Sequence, residues 1–512
     1  MKASIVFAPT GYMDCAPLGI GYINSAIQNC GHTTEIHDLN IDLFHNNPRD
    51  YQELISFALD KKKHDFNDRI PVGMPNLNVL LSTLFPGRAN RPRVIERMWK
   101  LAEKYSKSIL LKNPDILLFS LHESNEYLSI ILSKIIREEE KIPIVFGGWT
   151  CNYDLYKELF LKLGLCDIIV QGEGEKAIVE LLDYYCGKKK IGLIPQISYF
   201  KEGKVIQNKP GPLINIDQIS FPDWNGSDLA QYELVPIMGS RGCPYSCSFC
   251  NNLYINFRQR NIEGVIEEIK TQKEKLKKKA IFSFDDTSIN IDIKWLNGLC
   301  DALIGENLDI VWDACARTQN LTPEILKKMK RSGCRTLRFG VESFNQRILE
   351  DMNKKITVAE MVKTLEATHQ SGIECRIGMV YGYPGESETE FIRNLKILRR
   401  LNYCFKEGME ACLGIHYLDM NSPMGMHPEE YGITYEPQKI IGPKLPEKIE
   451  TMASRCIKYR LATPDKRSLQ FRKNMVDCFQ SSCTLGIFRE KNPREILNFE
   501  IVHENEKRVY SI

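Results

Sequence analysis

Short apolar runs alternate with helix-forming segments along most of this chain, and this alternation constrains the fold more than any other feature. Apolar runs bounded by glycine or proline are typical of buried strands, and the amphipathic segments between them are typical of helices. Up to residue 200 the pattern predicts strands at 3–8, 33–37, 115–121, 144–146 and 166–170. Strands joined by helices favour a doubly wound parallel sheet. We therefore predict an α/β, Rossmann-like domain over 1–200, with an insertion at about 42–95.

The predicted strands of this domain end in glycine and small polar residues. Ligands of doubly wound sheets bind outside the carboxyl ends of the strands, where a glycine lets a bulky ligand approach the backbone. The residues at these ends are Thr10, Gly11, Ser120, Gly147, Gly148 and Gly172. A nucleotide and a corrin both suit such a site, although no G-x-G-x-x-G motif follows the first strand to indicate a dinucleotide.

The alternation resumes after a predicted hairpin at 197–207 and a proline-containing linker at 201–233. Over 234–420 it predicts strands at 234–238, 280–284, 308–314, 336–340, 374–380 and 412–416. Six strand–helix units favour a partial (β/α)6 TIM-like barrel, in which reactive groups gather at the carboxyl ends of the strands. Prolines interrupt the pattern from residue 421 onward. We predict a small C-terminal domain over 421–512 that shapes the substrate pocket.

Three cysteines, Cys243, Cys247 and Cys250, follow the first barrel strand with the spacing C-x3-C-x2-C. Thiolates are soft ligands suited to iron–sulfur clusters, and three of them leave one iron of a [4Fe–4S] cube open for another ligand. The alternatives are cysteines buried by chance and one half of a zinc site. The chain has 17 cysteines and shows no secretory signal, which favours a reducing cytoplasm.

Polar residues also follow the other barrel strands. They are Asp285, Asp286, Arg317, Glu342, Ser343, Gly382, Tyr383 and His416. Carboxylates can bind an ammonium and an arginine can bind a carboxylate, so together they suit a bound amino acid. Three alternatives stay open: Asp285 or Asp286 as a helix cap, Arg317 paired with a structural acid, and His416 as a packed residue.

The cysteine motif, with Phe249 before its last cysteine, resembles the signature of the radical S-adenosylmethionine (SAM) superfamily. The resemblance covers about 235–420 and implies a [4Fe–4S] cluster whose open iron binds SAM, which is cleaved to a 5′-deoxyadenosyl radical. It implies that Arg317, Glu342 and Ser343 hold the methionine end of SAM. Phe249, Asp286 and Gly382 would be further SAM contacts, with Tyr383 and His416 as catalytic candidates. The fifth-strand pattern departs from the family, because Val380 replaces an isoleucine and Glu386 comes one residue late.

The N-terminal segments Pro17-Leu18-Gly19, Phe146-Gly147-Gly148 and Gly172-Glu173-Gly174-Glu175 resemble, in order, the cobalamin-binding domain fused before many radical SAM enzymes. The resemblance implies cobalamin contacts at Thr10, Gly11, Leu18, Gly19, Ser120, Glu123, Gly147, Gly148, Trp149, Gly172 and Glu173. The D-x-H-x-x-G motif that supplies a histidine ligand in other cobalamin proteins is absent, and His32 and His37 do not fit it. The fused family commonly lacks that motif. A domain that keeps the fold but binds no corrin is the alternative.

Together the two resemblances imply a cobalamin-dependent radical SAM enzyme, with C-methylation of an unactivated carbon as the expected reaction. Ring formation without methyl transfer, a radical SAM enzyme with an empty Rossmann domain, and an iron–sulfur redox sensor are the alternatives. The expected partners are a small-molecule or peptide substrate and an electron donor of the flavodoxin or ferredoxin type. A net charge of +3 gives no case for nucleic acid, and no apolar run is long enough for a membrane span.

Overall fold

The structure is a computed structural model of the 512-residue chain and divides it into two compact units. The first unit comprises Met1–Val235 and Tyr435–Lys458, and the second comprises Pro236–Thr434 and Tyr459–Ile512. The residues that the structure describes are 1–9, 14–60, 69–85, 93–225, 229–251, 256–276, 281–401, 411–438, 455–462, 464, 466–484, 498–503 and 506–511.

The first unit contains a seven-stranded sheet with the order β2-β1-β3-β4-β5-β6-β7. Its strands are β1 Lys2–Phe7, β2 Thr33–Asp38, β3 Ile116–Ser120, β4 Ile144–Gly147, β5 Ile168–Val170, β6 Ile197–Lys201 and β7 Lys204–Gln207. The first five strands in sequence pair in parallel, and β6 and β7 add an antiparallel edge. The order 2-1-3-4-5 is that of flavodoxin-like sheets, in which the direction of winding reverses between β1 and β3. The doubly wound prediction is confirmed.

Helices bury both faces of this sheet. They are α1 Leu18–Asn29, α2 Leu39–Asn46, α3 Pro48–Asp60, α4 Leu77–Leu84, α5 Arg93–Leu110, α6 Glu126–Glu139, α7 Asp154–Lys162 and α8 Gly174–Tyr185. In β3, Leu117 and Phe119 enter one apolar core while Ile116 and Leu118 enter the other. A strand buried on both faces reads as a continuous apolar run, which explains why the sequence shows it clearly.

Two sequence-based boundaries in this unit differ from the structure. The predicted insertion at about 42–95 contains α3 and α4, whose Tyr51, Leu54 and Leu80 are buried in the same core as β3. The predicted linker from 201 contains β7, which pairs with β6 and extends the sheet. Both segments belong to the domain because their apolar side chains or backbone groups complete its layers.

The second unit contains a six-stranded sheet in the order β8-β11-β12-β13-β14-β15, which confirms the predicted partial barrel. The strands of this unit begin with β8 Leu234–Ile237 and the short pair β9 Ser240–Arg241 and β10 Arg258–Gln259. The other barrel strands are β11 Ile281–Phe284, β12 Val311–Ala316, β13 Cys334–Glu342, β14 Glu374–Tyr381 and β15 Ala411–Ile415. The pairs from β11 to β15 are parallel. Their carboxyl ends therefore lie at one edge.

Helices follow these strands in the expected alternation. They are α9 Ile262–Leu276, α10 Ile293–Gly305, α11 Pro323–Arg331, α12 Gln346–Asp351, α13 Val358–Gln370, α14 Glu388–Arg400, α15 Pro423–Met426 and α16 Lys466–Thr484. Capping boxes at Thr357–Glu360 and Ser387–Glu390 start α13 and α14. The remaining strands are β16 Ile433–Pro437, β17 Ile457–Leu461, β18 Asn498–His503 and β19 Glu506–Ser511.

The C-terminal tail divides between the two units, whereas the sequence predicts one domain over 421–512. Cys456 packs against Leu81 and Leu155 within the first unit. Arg472 in α16 forms a buried ion pair with Glu386 within the second unit. Each half of the tail thus packs against buried residues of a different unit, although the two halves are continuous along the chain. No helix among the described residues has the length and apolar character needed to cross a bilayer.

Candidate active site

The cysteine loop follows β8, at the edge where the carboxyl ends of the barrel strands lie. Cys247 is buried, while Cys243 and Cys250 are partly exposed, and none of the three forms a disulfide. Gly242 has a φ of +83°, which a residue with a side chain rarely adopts. The backbone turn that precedes Cys243 therefore needs a glycine.

Asp286 holds the start of this loop through hydrogen bonds. Its carboxylate accepts a hydrogen bond from the Gly239 N–H at 2.9 Å and another from the Ser240 hydroxyl. Burial raises the pKa of Asp286 to about 7. Asp292 caps α10, so the helix-cap alternative for Asp286 is wrong. A contact between Asp286 and SAM stays a prediction.

Hydrogen bonds from other segments of the same unit hold the middle of the loop. The Asn353 amide donates to the Ser246 carbonyl at 2.7 Å, and the Ser248 N–H donates to the Met352 carbonyl at 3.0 Å. The Met424 N–H donates to the Ser248 carbonyl at 2.9 Å. A loop anchored at so many backbone atoms presents its cysteines in a fixed arrangement.

Arg317 is the cation next to the cysteines, as its position after β12 predicts. Its Nη1 lies 3.8 Å from the Cys247 sulfur, and its guanidinium lies 3.8 Å from the centroid of the Tyr245 ring. Its Nε donates to Gln319 at 2.9 Å. No carboxylate of the described residues pairs with it, so the structural-acid alternative has no support there.

Glu342 ends β13 with a backbone φ of +62°, a strained conformation for a residue with a side chain. Its carboxylate lies 3.2 Å from the Lys354 ammonium, and both side chains are largely buried. Lys354 also donates to the Gly340 carbonyl at 3.0 Å and lies 5.9 Å from the centroid of the Phe249 ring. No local sequence pattern predicts that Lys354 lies at this site, because contacts with segments distant in sequence bury it.

Two further predicted SAM contacts lie in structural networks. The buried Ser343 hydroxyl accepts from the Asn345 N–H at 3.2 Å and lies 3.3 Å from the Asn394 amide oxygen. This network holds the hydroxyl in place, and its contact with SAM stays a prediction. Gly382, with a φ of +73°, donates its N–H to Glu386 at 2.9 Å. Burial raises the pKa of Glu386 to about 7.

Tyr383 and His416 contact each other, and Tyr383 contacts the cysteine loop. Their rings meet edge to face at 5.3 Å, and both residues are buried. The Tyr383 hydroxyl lies 3.3 Å from the Ser248 hydroxyl, and burial raises the pKa of Tyr383. This contact joins the loop after β14 to the cysteine loop. The catalytic roles of the two residues stay predictions.

The predicted cobalamin residues of the first unit gather at the carboxyl edge of its sheet. Thr10 and Gly11 lie outside the described residues. Ser120 ends β3, Gly147 ends β4 and Gly172 follows β5. Leu18 and Gly19 begin α1, and a side-chain carbon placed on either Gly19 or Gly172 would meet nothing within 4 Å. This part of the edge is open enough for a bulky ligand to approach the backbone.

The other predicted contacts at this edge have structural partners. A side-chain carbon on Gly148, which has a φ of +91°, would lie 2.6 Å from the Leu121 carbonyl oxygen. Trp149 packs against the apolar core, and the Glu173 carbonyl accepts from the Gln196 side chain. Glu123 lies in the turn between β3 and α6 and is partly buried. Their contacts with cobalamin stay predictions.

The donor set at the cysteine loop suits an iron–sulfur cluster. Among the described residues, no three His, Cys, Asp or Glu side chains are arranged around a position for one metal ion. The protein ligands of a [4Fe–4S] cluster bind different irons, so this finding concerns single-ion sites. The three thiols on an anchored loop, beside Arg317, therefore fit a cluster better than a zinc ion.

Comparison with known families identifies the second unit. Residues 237–398 match the radical SAM superfamily. The chain carries a radical SAM domain. The matched range begins in β8 and ends in α14, so it includes the cysteine loop and five of the six barrel strands. The radical SAM family implies a [4Fe–4S] cluster and SAM for the site described above.

Curated relatives of this chain carry the names of methyltransferases and cyclases. It is 30% identical over 308 residues to an uncharacterized methyltransferase of Pyrococcus horikoshii, covering 58% of this chain and 66% of the relative. It is 28% identical to the bacteriochlorophyllide d C-12(1)-methyltransferase of Chlorobaculum tepidum, covering 55% and 62%. An anaerobic magnesium-protoporphyrin IX monomethyl ester cyclase of Synechocystis is 23% identical, covering 56% and 59%. The matches thus span about three fifths to two thirds of these relatives.

Solved structures share the fold across both units. The cobalamin-dependent SAM radical enzyme OxsB, with aqua-cobalamin and SAM bound, has a TM-score of 0.63 at 16% identity, covering 94% of this chain and 66% of OxsB. The radical SAM methyltransferase TsrM of Kitasatospora setae, with cobalamin and a [4Fe–4S] cluster bound, has a TM-score of 0.59 at 15% identity, covering 85% and 77%. These likenesses show the Rossmann-plus-barrel fold.

Proposed function

We propose that this chain is a cobalamin-dependent radical SAM enzyme, and that it acts as a C-methyltransferase. The observation that carries the proposal is the anchored loop of Cys243, Cys247 and Cys250 at the carboxyl edge of a parallel barrel. The flavodoxin-like sheet of the first unit supports it, because its switch point is a ligand-binding position.

The chain's own residues have separate tasks at the radical SAM site. Cys243, Cys247 and Cys250 would hold the [4Fe–4S] cluster, which with SAM supplies a 5′-deoxyadenosyl radical when both are bound. Arg317 stabilises negative charge at the thiolates, and Glu342 offers a carboxylate to the SAM ammonium. Asp286 fixes the loop through Gly239 and Ser240 and so determines where the cysteines lie.

The first unit would hold cobalamin at the carboxyl edge of its sheet, where it supplies a transferable methyl group. Gly19 and Gly172 leave the backbone open there. The names of the Chlorobaculum and Pyrococcus relatives favour methyl transfer over other radical chemistry. We propose an unactivated carbon of a natural product or peptide as the acceptor, and the reducing cytoplasm, with a flavodoxin or ferredoxin as electron donor, as the setting.

Anaerobic reconstitution with iron, sulfide, SAM and hydroxocobalamin tests the proposal. Under dithionite we expect 5′-deoxyadenosine from the wild-type chain and none from the triple variant Cys243→Ala, Cys247→Ala, Cys250→Ala. Cys300→Ala, which removes a buried thiol in α10, is the control and should keep the activity. The proposal is wrong if the triple variant retains SAM cleavage.

Ring formation without methyl transfer is the second candidate, favoured by the cyclases among the relatives. The mass of the product separates the two, since methylation adds one methylene unit. A chain that binds the cluster but never cleaves SAM would instead be a redox sensor. A chain that cleaves SAM and retains no corrin would be a radical SAM enzyme with an empty Rossmann domain.

A further inference from the structure

The inner face of the barrel sheet carries two arginines side by side. In β13, Leu337 and Phe339 are buried on the face that packs against α11. Arg338 lies between them and therefore points to the other face, the interior of the barrel. Arg376 of β14 points the same way, because its neighbours in sequence are buried toward α13. Arg338 and Arg376 pair in register, so this arginine pair joins two adjacent parallel strands.

The interior is accessible at the arginine pair and in the layer next to it. The Arg338 side chain is 32% exposed and Arg376 is partly exposed, although both strands are internal to the sheet. Two residues nearer the carboxyl ends, Gly340 pairs with Gly378, and Gly340 is exposed. A side-chain carbon on Gly378 would meet only the Phe339 carbonyl oxygen, at 3.8 Å. Because these two strands place no side chain in this layer, a ligand has room there.

Arg338 has hydrogen-bond donors that its neighbours do not use. Its Nη2 donates to the Ser283 hydroxyl at 3.0 Å, and its Nη1 lies 4.0 Å from the Asp313 carboxylate, beyond hydrogen-bond distance. Arg335 holds Asp313 instead, through its Nε at 3.0 Å and through its Nη2. Among the residues that the structure describes, the Arg338 Nε and Nη1 make no hydrogen bond. A guanidinium binds a carboxylate or a phosphate through two such donors.

Two further acids of the interior lie at other positions than the arginine pair. Glu374 pairs in register with Thr336, whose hydroxyl donates to it at 3.2 Å, one layer nearer the amino ends of the strands. Asp285 follows β11, two strands away from β13, and desolvation raises its pKa although the charge of Arg338 opposes this. Like charges on adjacent strands repel each other, and an anion between them offsets the repulsion. The position between the two arginines therefore favours an anion.

We propose that Arg338 and Arg376 bind an anionic group of the substrate, a carboxylate or a phosphate, inside the barrel. This inference rests on the proposed function, since it assigns the arginine pair to the substrate of that enzyme. Arg338 precedes Glu342 by four residues, which corresponds to about 13 Å along the strand. A substrate held at the arginine pair extends through the glycine layer toward Glu342, the proposed SAM contact. The anionic end of the substrate thus determines which of its carbons lies near SAM.

Saturation-transfer NMR of the full-length chain tests the site with two probes, acetate for a carboxylate and methylphosphonate for a phosphate. We expect saturable binding of at least one probe, and the probe that binds identifies the anion. The double variant Arg338→Gln, Arg376→Gln should weaken this binding roughly tenfold or more, since charged hydrogen bonds are lost. Arg331→Gln, Arg400→Gln removes the same charge from exposed positions of α11 and α14 and should keep the affinity.

Circular dichroism shows whether the glutamine variant is folded. If it is not, Arg338→Lys, Arg376→Lys keeps both charges without the planar fork and should bind the probe several-fold more weakly than the wild type. No saturable binding to the wild type, or equal affinity in a folded variant of the arginine pair, would overturn the inference and leave the proposed function intact. Binding that depends on the arginine pair, in a reconstituted chain that never cleaves SAM, would support the anion site and overturn the proposed function.

Discussion

At the scale of the residue, Arg317 gives the clearest electrostatic prediction. Its guanidinium beside Cys247 stabilises negative charge, and reduction adds an electron to the cluster. An interaction of about 1 kcal/mol corresponds to roughly 45 mV for a one-electron couple. We expect Arg317→Gln to lower the cluster's reduction potential by that order, measured by a redox titration without SAM. Arg317→Lys should restore part of the loss, and Arg331→Gln on α11 should leave the potential unchanged.

Asp286 gives a prediction for the pH dependence of stability. Its pKa is raised from 3.8 to about 7, so between these values the folded chain holds a proton that the unfolded chain has released. Its contribution to stability is therefore present below pH 4 and is lost as the pH rises to 7. Asp286→Asn cannot ionise, yet its amide can still accept from Gly239 and donate to Ser240.

Urea unfolding at pH 5 and pH 8 measures this contribution. We expect the fall in unfolding free energy between these pH values to be smaller in Asp286→Asn than in the wild type, by roughly 2 to 3 kcal/mol. Asp301→Asn, on an exposed position of α10, is the matched control and should keep the wild-type fall. An unchanged fall in Asp286→Asn would show that the carboxyl ionises normally in the folded chain.

At the scale of the element, α16 is attached to the barrel through the buried pair Arg472 and Glu386, each only 1% exposed at its side chain. Removal of one partner leaves an uncompensated buried charge, which costs about 3 to 5 kcal/mol. We expect Arg472→Met to destabilise the chain by that amount. The double variant Arg472→Met, Glu386→Gln should recover part of it in thermal unfolding, and two additive losses would contradict the pairing.

Two glycines at the carboxyl edge of the first sheet test different properties. Gly148 tests backbone packing, and Gly19 tests the approach of a ligand. Gly148→Ala places a carbon against the Leu121 backbone and should cost more than about 2 kcal/mol, since φ is also positive there. Gly19→Ala meets nothing within 4 Å in α1 and should stabilise the chain by up to about 1 kcal/mol. If cobalamin approaches the Gly19 backbone, the Gly19→Ala chain should bind cobalamin more weakly although its unfolding temperature is higher. Tighter or equal binding would contradict the contact.

The same elements show what the sequence could and could not predict. Strands such as β3 and β14 are buried in parallel sheets, so their apolar runs are visible without a structure. The helices α3 and α4 lie inside the predicted insertion, although the buried residues Tyr51, Leu54 and Ala58 of α3 recur at helical spacing. That spacing indicates a helix but does not indicate which sheet the helix packs against. The cysteine loop could be predicted from spacing. The hydrogen-bond partners of Asp286 and Ser343 could not be predicted, because they also depend on segments that are distant in sequence.

At the scale of the whole molecule, each unit is compact, buries apolar residues of its own and has its own proposed cofactor site, so the two occupancies should be separable. We expect the triple cysteine-to-alanine variant to lose iron and sulfide but to keep the corrin content of the wild type. Gly19→Ala should lower the corrin content and keep the iron, provided that circular dichroism shows a folded chain. Iron analysis and the corrin absorption spectrum of the same anaerobic sample measure both. A triple variant that loses corrin as well would show that the second unit must hold its cluster before the first can bind, which independent cores do not predict.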